Sequence, residues 1–258
     1  VLFNCNQTAL MFVYYLITRW KELGKINGKE YIVKTIVTTE TIKTIAERNG
    51  VEMYDVYTGF KWIANVMREN EGKKNYIGGG EESYGFLCED FVRDKDAVSA
   101  CVILAEIAAW AKDQGLSLYQ LLQKIYVEYG FSKEKGISVV KKGKSGAEEI
   151  EAMMKKFREN PLTEIAGSKV TYFYDYSTLK GKDYAENETV TLDMPTTSNV
   201  LQYFTEDNTK VSIRPSGTEP KIKFYCEVHS KVKSIDELPE AEKAAEEKIN
   251  QIKASLGI

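Results

Sequence analysis

The clearest chemical signal in this sequence is a short loop rich in proline, glycine and hydroxyl groups, residues 214–220 with the sequence RPSGTEP. Small residues with a flexible backbone let successive N–H groups converge on an anion, and the serine and threonine hydroxyls add donors. Arg214 can present its planar guanidinium to two phosphate oxygens at once. Composition alone leaves two interpretations open: a phosphate-binding loop, or an ordinary proline–glycine turn with an incidental arginine.

A second loop, residues 80–85 with the sequence GEESYG, has carboxylates and a hydroxyl between glycines. Glu81, Glu82 and Ser83 have side chains that can hydrogen-bond the hydroxyls of a polyol. The alternative is a solvated turn, since glutamate pairs are common on protein surfaces. The place of this loop in the fold decides between the two interpretations.

The elements before the GEESYG loop predict that place. Between residues 31 and 77, β-branched strand patterns alternate with helical patterns. Such alternation with short connections predicts a parallel sheet with right-handed crossovers. Open α/β sheets bind ligands at the carboxyl ends of their strands, which favours a binding role for the loop. The three loops expected at that edge are residues 38–40, 58–61 and 78–85.

Four basic residues are expected near the same edge, namely Lys34, Lys61, Arg93 and Lys95. A single lysine is usually a solvated surface group. Lys61 is unusual because it lies just inside the predicted start of a helix, where a cation is unfavourable unless an anion binds there. This position favours a functional role for Lys61.

The rest of the chain predicts a buried helix and then a change of architecture. Residues 96–111 form a helical pattern that is apolar on nearly all sides, which predicts burial. A polar, lysine-rich linker or edge strand is expected after residue 131, followed by several consecutive strands framed by two helices. We therefore predict an α/β domain over residues 1–131, with a parallel or mixed sheet and flanking helices. Residues 132–258 are predicted to form a smaller α+β domain with an antiparallel sheet.

Bulk composition limits the kinds of partner. The formal net charge of −3 over 258 residues argues against binding nucleic acid or an anionic membrane through a general basic field. The four cysteines lie far apart, which predicts neither a zinc site nor a disulfide framework and favours the cytoplasm. Residues 9–17 are too short an apolar run to cross a bilayer. His229 is the single histidine, which argues against a Ser-His-Asp hydrolase and a multi-histidine metal site.

The two loops together carry a resemblance to a known family. The chain resembles the C-terminal half, domains three and four, of the α-D-phosphohexomutases, in particular the phosphoglucomutase/phosphomannomutase branch. The GEESYG loop matches the family's sugar-binding loop, and the RPSGTEP loop matches its C-terminal phosphate-binding loop. Residues 58–61 (TGFK) and 93–96 (RDKD) match flanking segments of the third domain. The resemblance covers essentially the whole chain.

The resemblance implies an enzyme that interconverts hexose 1-phosphate and hexose 6-phosphate. A phosphoserine in the first domain would give its phosphoryl group to the sugar phosphate. The 1,6-bisphosphate intermediate, glucose 1,6-bisphosphate where the sugar is glucose, would then reorient and return its other phosphoryl group to the serine. Mg²⁺ held by an aspartate-rich loop in the second domain would assist, and no metal ligand is expected in this chain.

The same resemblance assigns roles to residues of this sequence by motif match. Lys95 and Lys61 would lie near the reacting phosphate, and Lys95 would aid proton transfer. The residues matched to substrate binding are Thr58, Gly59, Glu81, Ser83 and Arg93. The residues matched to binding of the non-reacting phosphate are Arg214, Ser216, Gly217 and Thr218.

The sequence departs from the complete family pattern in two places. The serine loop and the aspartate-rich metal loop are absent from these 258 residues. Residues 4–8 resemble the stretch that follows the metal loop, so both loops are expected upstream of Val1 in a longer parent protein. This piece alone is then expected to be inactive and to need domains one and two as partners.

Three functions remain open from the sequence. The first is the substrate-recognition half of a phosphoglucomutase-like enzyme, and the Glu-Glu-Ser form of the sugar loop is similar to that of glucose-preferring members. The second is the corresponding half of a mutase for mannose, glucosamine or pentose phosphate. The third is a stand-alone phosphosugar-binding module, which would bind its ligand without other domains.

Overall fold

The structure is a computed structural model that describes residues 2–141, 143–217 and 219–258. Contacts within the chain divide it into two compact units. The first unit runs to Phe131 and also includes Lys231–Leu238, so it is discontinuous in sequence. The second unit consists of Ser132–Ser230 and Pro239–Ile258.

The first unit contains a four-stranded mixed sheet. Its strands are β1 (Glu30–Thr35), β2 (Glu52–Val56), β3 (Asn75–Gly80) and β4 (Phe86–Cys88). Their spatial order is β2-β1-β3-β4. β1 runs parallel to β2 and β3, whereas β4 turns back antiparallel to β3 after the GEESYG loop. The predicted α/β architecture with a parallel or mixed sheet is confirmed.

In the described part of the first unit, five helices accompany this sheet. They are α1 (Cys5–Glu22), α2 (Thr41–Arg48), α3 (Phe60–Asn70), α4 (Ala97–Asp113) and α5 (Leu118–Tyr129). Asn4 caps α1, because its side chain accepts a hydrogen bond from the Gln7 N–H group at 2.9 Å. Gly59 precedes α3 with a φ of 112°, a conformation that favours glycine.

Helix α4 differs from its sequence prediction. The apolar pattern predicts burial on nearly all sides, but the buried residues of α4 are Ile107 and Ala111. Val98 is 74% exposed and Val102 is 62% exposed. The helix contacts β4, α1 and α5, so one side of it is packed. The prediction of a fully buried helix is therefore wrong for the described chain.

Close packing around β3 explains its glycines. A Cβ atom added to Gly79 would lie 2.1 Å from the Val33 carbonyl oxygen on β1. One added to Gly80 would lie 2.4 Å from the Gly85 carbonyl oxygen and 2.7 Å from Cδ2 of Phe86. These distances are shorter than van der Waals contact, so the backbone reaches the ligand edge only with glycine at these positions.

The described residues of the second unit form an eight-stranded antiparallel sheet and two helices, as the predicted α+β domain requires. The helices are α6 (Gly143–Glu159) and α7 (Leu238–Leu256). The strands are β5 (Phe131–Val140), β6 (Glu164–Ile165), β7 (Ser168–Asp175), β8 (Lys180–Asp183), β9 (Glu188–Thr191), β10 (Leu201–Thr205), β11 (Lys210–Pro215) and β12 (Lys221–Ser230). The spatial order is β5-β12-β11-β10-β7-β8-β9, with β6 paired to β7.

The two faces of β12 have different roles. Its apolar face is buried as the alternating pattern predicts, through Ile222, Phe224, Cys226 and Val228. On the other face, Glu227 is buried directly opposite Lys210 of β11, and the two side chains form an ion pair at 2.9 Å. His229 Nε2 lies 2.7 Å from Oε1 of Glu227. The polar face of β12 therefore supports a buried ionic cluster rather than facing solvent.

Candidate functional site

A carboxylate fixes the GEESYG loop to the start of α3. Oε1 of Glu81 accepts a hydrogen bond from the Gly59 N–H group at 2.6 Å. The Glu81 N–H group donates to the Gly85 carbonyl oxygen at 2.8 Å, which closes the turn between β3 and β4. A negative charge at a helix start is favourable because free N–H groups and the helix dipole point there. Two of the three loops predicted at the sheet edge thus meet at this carboxylate.

Lys95 lies beside the same loop. A Cβ atom added to Gly85 would lie 3.0 Å from Oε2 of Glu81 and 3.1 Å from Cδ of Lys95. Gly85 therefore lies between these two side chains and leaves room for both. Nζ of Lys95 is 5.8 Å from the centre of the Phe60 ring, at the first residue of α3. The structure brings Lys95 to Glu81, which are two of the residues predicted for the site.

The hydroxyl residues of the edge lie nearer the solvent. Ser83 is exposed in the middle of the loop, and Thr58 is half-buried directly before Gly59. Oε2 of Glu82 accepts a hydrogen bond from Oγ1 of Thr35, at the end of β1, at 3.2 Å. The carboxyl ends of β1, β2 and β3 therefore converge, as the predicted topology requires.

Lys34, which the sequence places near this edge, has structural partners. Its side chain is 1% exposed, and its Nζ lies 2.7 Å from Oδ1 of Asp55 and 2.9 Å from Oε1 of Glu40. Removing either carboxylate would leave a buried charge poorly compensated, which is strongly destabilising. Lys34 thus ties β1 to β2 and to the turn before α2.

Lys61 and Arg93 line an open pocket of about 600 Å³ together with Arg68. Nζ of Lys61 lies 5.0 Å from the centre of the Trp62 ring. Arg93 Nη2 lies 3.1 Å from Oε1 of Glu71, and both of these side chains are exposed. Sequence reasoning missed Arg68, although its spacing of seven residues from Lys61 puts both on one face of α3. Three cations and two carboxylates, Glu71 and Asp94, line the pocket, so its wall has a net charge of +1.

The RPSGTEP loop forms a turn between two antiparallel strands. Arg214 on β11 pairs in register with Lys223 on β12, and it is half-buried. The Ser216 N–H group donates to the Lys221 carbonyl oxygen at 2.8 Å. In the phosphate-loop interpretation successive N–H groups converge on an anion, whereas this N–H group closes the hairpin.

Side chains make further bonds within the same turn. Oγ of Ser216 accepts a hydrogen bond from the Glu219 N–H group at 3.3 Å. Lys221 forms an ion pair with Glu219, and this hydrogen-bonded cation lowers the pKa of the Glu219 carboxyl. Gly217 is exposed, and a Cβ atom added there would meet nothing within 4 Å. Thr218, the remaining residue predicted for this loop, lies outside the described residues.

Helix α6 contributes a basic residue beside this loop. Arg158 lines a pocket together with Ser216 and Gly217. Its Nε donates to Oδ2 of Asp175 at 2.9 Å, and its Nη2 donates to Oδ1 of Asn199 at 2.8 Å. These bonds fix the guanidinium in place. Sequence reasoning missed Arg158 because it is far from the loop along the chain and no motif marks it.

The described ranges, with gaps at residues 1, 142 and 218, hold no group of three or more histidine, cysteine, aspartate or glutamate side chains placed to bind a metal ion. No helix within those ranges combines the length and apolar character needed to cross a membrane. The side chains of the two loops and of the basic residues beside them supply carboxylate, hydroxyl, guanidinium and ammonium groups.

A mixed α/β domain with a carboxylate loop at its ligand edge, followed by an antiparallel α+β domain with an arginine loop, defines the class of this protein. Residues 4–129 match the family model for phosphoglucomutase/phosphomannomutase, alpha/beta/alpha domain III. Residues 138–245 match the model for the phosphoglucomutase/phosphomannomutase C-terminal domain. The chain therefore belongs to the phosphoglucomutase/phosphomannomutase family, and the resemblance seen in the sequence is confirmed.

Similar curated proteins include phosphoglucomutases from two staphylococci. The Staphylococcus haemolyticus protein is 34% identical over 227 residues, which cover 88% of this chain and 40% of the relative. A Staphylococcus aureus protein is 38% identical over 223 residues, which cover 86% of this chain and 39% of the relative. The chain thus spans about 40% of the length of these relatives.

Solved structures show the same fold at low sequence identity. The phosphoglucomutase parafusin from Paramecium, in its open form, has a TM-score of 0.57 at 17% identity. The match covers 90% of this chain and 38% of the parafusin chain. A phosphoglucomutase/phosphomannomutase family protein from Burkholderia thailandensis has a TM-score of 0.56 at 16% identity. The match covers 98% of this chain and 42% of the Burkholderia chain. At these identities the likeness concerns the fold alone.

Proposed function

We propose that this chain is the substrate-binding half of a phosphohexomutase, which interconverts hexose 1-phosphate and hexose 6-phosphate through a phosphoserine and a bisphosphate intermediate. Membership of the family supports the mutase class. The observation that carries the proposal is the assembly of Glu81, the Gly59 N–H group and Lys95 at the carboxyl edge of a parallel sheet. An oriented carboxylate can bind sugar hydroxyls, and a neighbouring cation can attract a phosphate.

In this proposal the GEESYG loop orients the sugar. Glu81 keeps one carboxylate oxygen on the Gly59 N–H group, while its other oxygen and the Ser83 hydroxyl bind sugar hydroxyls. Lys95 attracts the reacting phosphate. Its ammonium group gives a proton to the sugar oxygen that loses the phosphoryl group, and its neutral amine takes a proton from the sugar hydroxyl that gains one. The remaining residues of this edge assigned to substrate are Thr58, Lys61 and Arg93.

The RPSGTEP loop would bind the phosphate that is not reacting. Arg214 offers a planar guanidinium that can bond two phosphate oxygens. The Ser216 and Thr218 hydroxyls add donors, and Gly217 leaves space for the anion. Because the Ser216 N–H group already closes the hairpin, binding relies on the guanidinium and the hydroxyls more than on backbone N–H groups. Binding energy from this remote phosphate can then be used to orient the reacting oxygen.

Glucose is the sugar we propose, because the staphylococcal relatives are named phosphoglucomutases. The intermediate would then be glucose 1,6-bisphosphate. Family domains I and II would supply the phosphoserine and Mg²⁺, an ion that neutralises charge on a transferring phosphoryl group. In this proposal the ligands of the ion belong to those two domains, and this chain contributes binding and orientation. Its four free cysteines favour the cytoplasm as its location.

Titration calorimetry with glucose 1-phosphate tests this function. We expect the chain to bind the ligand weakly and Arg214→Ala to weaken binding by about tenfold to a hundredfold, the usual cost of losing hydrogen bonds to a charged group. Lys223→Ala, at the cross-strand neighbour of Arg214, is the matched control and should keep most of the affinity. Equal losses in the two variants would contradict a specific role for Arg214.

Activity separates the mutase half from a stand-alone module. The chain alone should not convert glucose 1-phosphate to glucose 6-phosphate, whereas the same chain preceded by domains I and II should. If the chain alone shows no binding, the titration is repeated on that full-length protein with the same two variants. Tight binding by the chain without any gain in affinity from the preceding domains would favour the module.

A further inference from the structure

The outer face of α4 is apolar and exposed in the described chain. Residues 97–105 contain no charged side chain. Val98 and Val102 are 74% and 62% exposed, and Cys101 and Ala105 are exposed as well. Residues three, four and seven positions apart lie on one face of a helix, so these four side chains form a continuous stripe.

The stripe borders an apolar pocket of about 190 Å³. Helix α4 forms one wall of the pocket through Ala100, Cys101 and Leu104, and α1 forms another through Cys5 and Phe12. The GEESYG loop forms the remaining wall through Glu81, Tyr84 and Gly85. We refer to the stripe and this pocket together as the α4 surface.

The course of the chain indicates what covers the α4 surface. Contiguous exposed apolar patches mark association sites. Cys5 is the first residue of α1 and lines the pocket, so polypeptide joined upstream of it emerges beside the α4 surface. The family numbers the domain matched here as its third, and the relatives are about two and a half times as long as the aligned part of this chain.

We propose that the α4 surface is the docking face for the polypeptide of domains I and II, which precedes this chain in the full-length protein. This inference rests on the part of the proposed function that supplies those domains. It explains why α4 is apolar on nearly all sides while one side is exposed here: β4, α1 and α5 cover one side, and the preceding domains cover the other.

Docking at this place would also act on the candidate site. Asp96 caps α4 and accepts hydrogen bonds from the Val98 and Ser99 N–H groups at 3.3 Å and 2.9 Å. Lys95 is its direct neighbour in sequence. A partner bound to the first turns of α4 therefore restrains the segment that carries Lys95. The position of Lys95 would then be fixed only in the complete protein.

A native thiol reports on this interface. Cys101 is exposed in the middle of the stripe, whereas Cys88 and Cys226 are buried, and burial raises the pKa of both buried thiols to about 12. Maleimide labelling, mapped to each cysteine by mass spectrometry, is compared between the chain and the full-length protein. We expect Cys101 to react in the chain and to react about tenfold more slowly or less in the full-length protein, because modification requires access.

Surface variants test the same contact by stability. Val98→Ser with Val102→Ser should lower the thermal midpoint of the full-length protein but leave that of the chain unchanged. Val140→Ser is the matched control, since Val140 is a valine of nearly equal exposure, 61%, in the second unit. It should change neither midpoint. The variant pair should also restore Cys101 labelling in the full-length protein.

The labelling and stability results distinguish between the possible partners of the α4 surface. Equal labelling of Cys101 in both proteins, or equal effects of the two sets of variants, would overturn the proposal. Protection of Cys101 in the chain alone that disappears on dilution would also overturn it, in favour of a second copy of the chain. Because neither readout uses catalysis or sugar binding, a failure here is distinguishable from a failure of the proposed function.

Discussion

The GEESYG loop and the RPSGTEP loop differ in how many parts of the chain hold them. The first is bonded to the end of β1 through Glu82, to the start of α3 through Glu81, and to its own far end. The second is a turn between adjacent strands, held mainly by bonds among its own residues and Lys221, with one bond from the Lys141 N–H group to the Pro220 carbonyl oxygen at 2.9 Å. A site assembled from several strand ends is fixed by distant segments, whereas this hairpin is held mostly by local bonds.

This difference suits the roles proposed for the two loops. Orienting a sugar for reaction requires groups fixed to within a fraction of an ångström, and packed strand ends supply that precision. Binding a phosphate depends more on charge and accessible hydrogen-bond donors than on exact placement. An open turn with an arginine supplies both the charge and the donors. The comparison leads to four expectations, given from the largest effect to the smallest.

The largest expected effect concerns the glycines of the two loops. Gly80→Ala should lower the free energy of unfolding by about 3 kcal/mol, the upper part of the usual range for over-packing, because the added methyl overlaps the Gly85 carbonyl. Gly217→Ala should change it by less than about 0.5 kcal/mol, since its methyl meets open space. Urea unfolding followed by tryptophan fluorescence and by circular dichroism measures both.

Tryptophan fluorescence reports on the first unit alone, because all three tryptophans belong to it: Trp20, Trp62 and Trp110. Gly80→Ala should shift the fluorescence transition to lower urea, whereas Gly217→Ala should leave the transition seen by circular dichroism of the whole chain unchanged. Similar stability losses in the two glycine variants would contradict the contrast between a packed and an open loop.

The second effect separates sugar binding from phosphate binding. Glu81→Gln keeps an oxygen for the Gly59 N–H group but removes the charge that would hold sugar hydroxyls. We expect it to weaken glucose 1-phosphate binding by about tenfold. Binding of inorganic phosphate should not change, whereas Arg214→Ala should weaken binding of both ligands. Calorimetric titration with the two ligands gives the comparison, and a loss of phosphate affinity in Glu81→Gln would contradict it.

The third effect is a pH dependence of the second unit. Burial of His229 would lower its pKa, but the Glu227 carboxylate beside it outweighs burial and raises the pKa above the usual value, with a further contribution from Glu134. A histidine whose pKa is raised on folding stabilises the fold below its unfolded value of about 6.5 and loses that contribution as the pH rises through its folded value. Stability should therefore fall on going from mildly acidic to alkaline pH.

Glu227 acts in the opposite sense at acid pH. Burial alone would raise its pKa, but Lys210 and His229 lower it far below the ordinary value. Its contribution is present above the unfolded value of about 4.3 and is lost as the pH falls. His229→Gln should remove the histidine's part of the alkaline decline and should weaken the acid decline without abolishing it, because Lys210 remains beside Glu227. NMR titration of this single histidine and urea unfolding at several pH values provide the test; an unshifted histidine pKa would refute it.

The smallest effect concerns the basic pocket on α3. Arg93 and Glu71 form an ion pair between exposed side chains, so Arg93→Ala should change the free energy of unfolding by less than about 0.5 kcal/mol. Its proposed contact with substrate should instead appear as a loss of about threefold in affinity for glucose 1-phosphate. Lys43→Ala, which breaks a similar exposed pair with Glu47 on α2, is the control and should leave affinity unchanged. Equal affinities in the two variants would argue against a binding role for Arg93.

The parts of the fold with regular apolar alternation were predictable from the sequence. The helix whose start the sequence predicts just before Lys61 is α3, and the alternating apolar residues of residues 221–230 form the buried face of β12. The β8–β9 hairpin was not predicted, because β8 has the sequence KGKD and no apolar alternation. Its place depends on a tertiary contact: a Cβ atom added to Gly181 would lie 2.5 Å from the Tyr174 ring, so the ring covers the strand there. Contacts of this kind produce no periodic pattern in the sequence.

The candidate site was predictable where residues are contiguous or follow from topology. Strand order brought Glu81 to Gly59, and both motifs are continuous in sequence. Arg158 was not predictable, because only the packing of α6 near the RPSGTEP loop reveals it. The apolar pattern of α4 predicts that something covers the helix but does not say what, which is why burial within this chain was the wrong expectation.

The discontinuity of the first unit has a consequence for biosynthesis. Its last segment, Lys231–Leu238, is translated after Ser132–Ser230, which belong to the second unit. Nearly the whole chain must therefore be synthesised before the first unit is complete. The sheet and helices of the first unit leave the ribosome well before that point. Folding of the two units is thus coupled in time, and a stop codon after Phe131 would yield a first unit that lacks one of its own parts.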